Sequence, residues 1–151
     1  MINTSQLHHQ VEELAELVCE LTHTCNRTQD FFAKSFNLTP AEFRVLKLFA
    51  FNETLSIKEL CDILSITPGR ITQIISGLEE KKFVIRISNT DDKRNVAIKI
   101  LPKSRPFIEN LYNSHMSIHE DILNKMEQPK RDNLIESLRY LITELNKKKK
   151  E

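Results

Sequence analysis

One stretch, Ser65–Leu101, constrains the fold more than any other: SITPGRITQIISGLEEKKFVIRISNTDDKRNVAIKIL. Thr67 suits a helix N-cap, since its hydroxyl can accept a hydrogen bond from an orphan N–H of the first turn. Pro68 suits the first helical position, where a missing N–H costs nothing. Ile71, Ile74, Ile75 and Leu78 recur at three- and four-residue spacing and predict one buried face. Arg70, Thr72, Gln73 and Ser76 fall largely elsewhere and are left to meet a partner. Gly77 reads two ways: a tolerated cost of about 1 kcal/mol, or a point of close helix approach. Val84–Ser88 and Val96–Ile100 alternate apolar with polar or small residues and predict two half-buried strands. Asn89–Asn95 between them holds no large apolar residue, so this hairpin projects rather than building core. A short helix followed by a basic-tipped hairpin predicts a winged helix. The helix would enter a major groove and the tip an adjacent minor groove.

The helix starts differ in a telling way. Thr39-Pro40-Ala41-Glu42 and Ser56-Ile57-Lys58-Glu59 both carry a capping box, in which a glutamate closes the helix end on itself. Thr67-Pro68-Gly69-Arg70 places an arginine there instead. A cation beside the positive end of a helix dipole costs roughly 0.3–1 kcal/mol, and an arriving phosphate offsets it. The other reading of Arg70 is a solvated surface residue. Charge favours the first. The whole chain is only +1, but residues 67–105 hold nine lysines and arginines against four carboxylates, a local +5. That asymmetry suits a surface facing phosphates.

The stretch resembles the MarR family of bacterial transcription regulators. The residues that carry the resemblance are Leu60–Thr67, Ile71-Thr72-Gln73-Ile74-Ile75, Leu78-Glu79, Phe83-Val84-Ile85-Arg86, and Asp92-Lys93-Arg94 at the hairpin tip. The likeness extends over nearly the whole chain. It implies a homodimer on double-stranded DNA with a pseudo-palindromic operator, usually a repressor relieved by a small molecule or by oxidation. By the same resemblance Thr67, Pro68, Gly69, Arg70, Thr72 and Gln73 face the major groove. Arg86, Asp92, Lys93 and Arg94 serve the wing, with Arg94 in the minor groove and Asp92 fixing the tip. The family usually ends the recognition helix in glycine where this chain has Lys82. It usually follows the second strand with Leu-Thr-x-x-Gly, where this chain has Leu101-Pro102-Lys103-Ser104-Arg105.

The flanks look like apparatus for pairing two copies. Leu7, Val11, Leu14, Val18, Leu21, Cys25 and Phe32 form a heptad-like seam, with Thr28 in the gap, over a first helix from Thr4 to about Phe36. A second helix is expected over Pro40–Phe51, with Phe43, Val45, Leu46, Leu48 and Phe51 apolar. A third spans Ser56–Leu64, with Ile57, Leu60, Cys61 and Leu64 inward. The loop before it has room for a short strand against the wing. After the wing, one helix runs to about Glu127 with Phe107, Leu111, His115, Ile118, Ile122 and Met126 on a stripe, and Pro129 opens the last. The expected fold is mainly α with a small β-hairpin wing: a winged helix-turn-helix with a helical dimerisation region. Its parts are residues 1–36, an N-terminal dimerisation helix; 37–101, the DNA-binding domain; and 102–151, C-terminal dimerisation helices and a basic tail. An effector would lodge between the helical region and the winged lobes.

Other chemistry is sparse. His115 and His119 share a helix face and are candidates for an effector or a metal, with an interface or pocket histidine as the plain reading. Cys19 and Cys25 are six residues apart, about 9 Å of helix rise, and cannot bridge within one helix. Cys25 and Cys61 read as small buried hydrophobes, and Cys19 as the exposed candidate for redox sensing. No phosphate-binding glycine loop, nucleophile elbow or metal-hydrolase motif is present, so neither an enzyme nor a cofactor is expected. No apolar run approaches a membrane span, and no signal-peptide pattern opens the chain, so a cytoplasmic location is expected. Two alternatives stay open: an oxidant-sensing regulator of the same fold, and a winged-helix protein-interaction module that does not bind DNA.

Overall fold

Three of the helices start where local side chains satisfy backbone N–H groups that the helix end leaves unpaired. The computed structural model describes residues 4–89 and 92–148, with the backbone alone at 4, 89 and 92–95. In chain order the elements are α1 (Thr4–Ser35), α2 (Pro40–Leu48), β1 (Thr54–Ser56), α3 (Ile57–Leu64), α4 (Pro68–Glu80), β2 (Val84–Asn89), β3 (Asp92–Ile100), α5 (Arg105–Asn124) and α6 (Gln128–Lys148). Both expected capping boxes are formed, at Thr39/Glu42 and Ser56/Glu59. Thr67 caps α4 by accepting from the Arg70 N–H at 3.4 Å.

Three helix ends use left-handed residues that are not glycine: Asn37, Ser65 and Lys82, with φ of 56°, 53° and 62°. At Lys82 the N–H groups of Lys82 and Phe83 return to Glu79 and Leu78, both at 2.9 Å. That is the paired closure a glycine usually supplies. The lysine therefore holds a conformation that glycine adopts at no steric cost.

The three strands form an antiparallel sheet in the order β1-β3-β2. Leu55 faces Ile98 across β1–β3, and Val84 faces Ile100 across β2–β3. The pairing shifts after Ser88, so that Asn89 faces Asp92. Residues 92–95 are thus strand rather than the expected loop, because the irregular register lets the ladder run closer to the tip. The second helix also ends early. Leu48 is its last residue, and Phe51, expected on the apolar side, is 76% exposed. The helix after the wing closes at Asn124, before Met126.

The chain divides into two units, Met1–Leu111 and Tyr112–Glu151. The first holds a core of Phe43, Val45 and Leu46 from α2 and Phe49 just after it, Leu60 from α3, Ile71, Ile75 and Leu78 from α4, and Val84, Ile98 and Ile100 from the sheet. Ile108 and Leu111 at the start of α5 are fully buried too, Ile108 lying off the stripe that the spacing predicts. The α1 seam is another matter. Only its C-terminal end, Phe32 and Ala33, is buried, while Leu7, Val11, Leu14 and Leu21 are 47–57% exposed. Cys25, expected to be buried, is exposed with them, and Cys61 is only half-buried. In the second unit, α6 has no buried residue.

Candidate nucleic-acid interface

Helix α4 presents two different sides. Ile71, Ile74, Ile75 and Leu78 are buried, while Thr67, Pro68, Gly69, Arg70, Thr72 and Gln73 are all exposed. A side chain added at Gly69 would meet nothing within 4 Å, so the helix start is open to an approaching surface. The Arg70 guanidinium meets neutral Gln73 Oε1 at 3.2 Å. Its charge is not matched there by a carboxylate. The positive end of the helix dipole and this cation add in the same direction.

Beside it runs a cleft of about 380 Å³, lined by Thr39, Pro40, Ala41, Glu42 and Arg44 from the start of α2 and by Arg70, Gln73 and Ile74 from α4. Arg44 is exposed. The sequence reading missed it, although it lies on the solvent side of α2 two residues after the capping glutamate. The cleft's carboxylate is already occupied. Glu42 is 5% exposed; its Oε2 accepts from the Thr39 N–H at 2.8 Å and from Lys81 Nζ at 2.7 Å. Burial alone would raise its pKa, but the Lys81 and Thr39 hydrogen bonds and the charge of Lys81 outweigh burial and hold it below the usual carboxylate value. Gly77 belongs to this arrangement. A Cβ there would sit 2.7 Å from Glu42 Oε1, so close approach is the correct reading of Gly77 and tolerated cost is not.

The local positive charge is smaller than the residue count. Lys81 is neutralised by Glu42, Arg86 by Glu79 and Lys99 by Glu53 at 3.1 Å. Arg105 donates to the carbonyls of Phe49 and Ala50 at 2.8 and 3.2 Å, closing the end of α2. Arg86, assigned to the wing's DNA contacts from sequence, turns towards α4. The side chains of Asp92, Lys93 and Arg94 lie outside the described ones; their backbone belongs to β3.

The other singled-out residues lie apart from this surface in the chain. Cys19 is exposed on α1. His115 is buried and its ring centroid lies 5.3 Å from that of exposed His119. Two imidazoles are half of a tetrahedral zinc set, and among the described residues no group of three or more His, Cys, Asp or Glu is gathered. No helix among the described residues is long and apolar enough to cross a membrane.

Comparison with known proteins agrees with this geometry. A family model described as the MarR family matches residues 36–95. The transcriptional regulator SarZ of Staphylococcus epidermidis is 27% identical over 114 residues, 74% of each chain. The multiple antibiotic resistance protein MarR of Escherichia coli is 24% identical over 142 residues, covering 94% of this chain and 96% of that one. Among solved structures, Streptococcus pneumoniae FabT in complex with DNA superposes with a TM-score of 0.79 at 16% identity, over 91% of this chain and 98% of that one.

Proposed function

We propose, from the MarR family model that matches residues 36–95 and the regulators that the chain resembles, that it is a DNA-binding transcription regulator that works as a homodimeric repressor in the cytoplasm, released by a small-molecule effector. The observation that carries the DNA-binding reading is the division of α4. Its apolar side is locked into the core, and its polar, cationic start stands clear of protein. A helix held that way can lay its first two turns along a major groove without reorganising.

In this reading Thr67, Gly69, Arg70, Thr72 and Gln73 meet base edges and phosphates, and Pro68 sets the entry angle. Arg44 adds a backbone contact from the neighbouring cleft. Lys93 and Arg94 reach the flanking groove, with Asp92 shaping the tip. A second copy places its own α4 about 34 Å away on the same side of the duplex. The apolar seam of α1 and the exposed Leu134, Ile135, Ile142 and Leu145 of α6 are the surfaces for pairing copies. An effector acts by binding unequally to the two spacings of the α4 pair.

Salt dependence of binding tests the contacts. Arg70→Ala and Arg94→Ala are each expected to weaken operator binding and to lower the slope of log K against log salt by about 1. A mobility-shift titration at several salt concentrations measures this. Unchanged slopes and sequence preference would remove those residues from the interface.

Exposure of both Cys19 and Cys25 favours one second reading, in which peroxide joins a thiol from each of two copies. Both thiols lose a proton, a disulfide forms, and peroxide is reduced to water. A peroxide-dependent dimer band on a non-reducing gel, absent in Cys19→Ser/Cys25→Ser, would support it.

A further inference from the structure

Arg86 occupies an inward position that burial alone would give to an isoleucine. Its neighbours Ile85 and Ile87 turn outward, 41% and 40% exposed. Arg86 takes the side of Val84, towards α4. Shifting β2 by one residue would exchange these faces, so the observed register keeps two isoleucines in water and one arginine against the helix.

Both terminal nitrogens of the arginine are engaged. Nη1 pairs with the Glu79 carboxylate. Nη2 donates to the Thr72 carbonyl and to Ser76 Oγ, both at 3.0 Å. Glu79 replies to the strand, its Oε1 accepting the Arg86 backbone N–H at 3.0 Å. The pair therefore ties two turns of α4 to the first strand of the wing, next to the exposed Thr72 and Gln73. A planar guanidinium spreads its donors over a rigid fork and can reach separated acceptors, whereas an ammonium gathers its three donors on one nitrogen.

We propose that Glu79 and Arg86 form a positioning pair that fixes the wing's angle against α4 and so sets sequence selectivity without touching DNA. The proposal rests on the DNA-binding reading above. Phosphate contacts supply affinity for any duplex, whereas base contacts require helix and wing to be in register together. Loosening the pair should cost the second and spare the first.

The test compares wild type, Glu79→Gln, Arg86→Lys and Arg86→Ala. Each is titrated against a duplex that the wild type selects from a random pool and against a scrambled duplex of the same composition. All three variants are expected to lose roughly tenfold in affinity for the selected duplex, about the worth of one charge-assisted contact. Affinity for the scrambled duplex and the salt slope stay at wild-type values. A slope lowered by about 1 in Arg86→Ala would make Arg86 a phosphate contact and overturn the proposal, as would full selectivity in Glu79→Gln or rescue by Arg86→Lys. A second arm needs no DNA: amide hydrogen exchange at Arg86 and along residues 84–88 should quicken in Glu79→Ala, which removes the acceptor of the Arg86 N–H. Unchanged exchange would overturn the pairing itself, even in a protein that binds DNA normally. A wild type that selects no duplex would instead sink the regulator reading, and with it the selectivity claim.

Discussion

Glycine is usually a weak point in a helix, and replacing it with alanine usually gains about 1 kcal/mol. Gly77 should behave in the opposite way. The Cβ would land on a carboxylate that is itself pinned by Lys81 and Thr39. Displacing Glu42 strains bonds to a charged group, so Gly77→Ala is expected to destabilise by about 1–3 kcal/mol in urea unfolding. In a Glu42→Ala background the same substitution should become neutral or stabilising. Additivity of the two would refute the clash. The pH dependence has a definite sign. The folded-state pKa of Glu42 is lowered, so its contribution is present above the unfolded carboxylate value and is lost as pH falls through the folded one. Melting temperature should therefore drop across the acid range, and Glu42→Gln should flatten part of that drop.

Helix ends carry the predictions at the next scale. Helix α4 lacks the closing glutamate that α2 and α3 possess. Arg70→Glu would supply it, and is expected to leave the melting temperature equal or higher while abolishing operator binding. A large fall in stability would mean that Arg70 holds the fold rather than a partner. Lys82→Gly works the other way. It relieves a left-handed lysine, a strain of roughly 1–2 kcal/mol, and should raise stability with little effect on DNA affinity. Capping boxes, Thr67, Pro68 and the spacing of the isoleucines were all readable from the chain, because each depends on residues within one or two turns. The early end of α2 was not. Nothing local distinguishes Phe51 from a core aromatic; it is exposed because the helix has already stopped at Leu48. Arg86 was legible as a cation on the wing but not as an inward one. Its direction depends on the β2–β3 register and on Glu79 being within reach, and neither is a property of the strand itself.

For the whole molecule, the uncovered side of α1 matters most. Leu7, Val11, Leu14 and Leu21 stay about half exposed, which a lone helix in water has no reason to maintain. Leu14→Asp should convert a dimer into monomers by analytical ultracentrifugation. It should also weaken operator binding about a hundredfold or more, since two half-sites are then no longer bound as one unit. A monomeric wild type would remove the two-fold reading at once.

The amino-acid sequence by itself determined most of the elements, their caps and the winged-helix pattern, because hydrophobic period and end chemistry act over a few residues. It also marked Arg70 as a cation without a reason to be there. Only the tertiary structure decided which positive charges remain available. Lys81, Arg86, Lys99 and Arg105 meet partners 39, 7, 46 and 56 residues away in sequence, and a cation is engaged by what lies beside it in space, not by what precedes it in the chain.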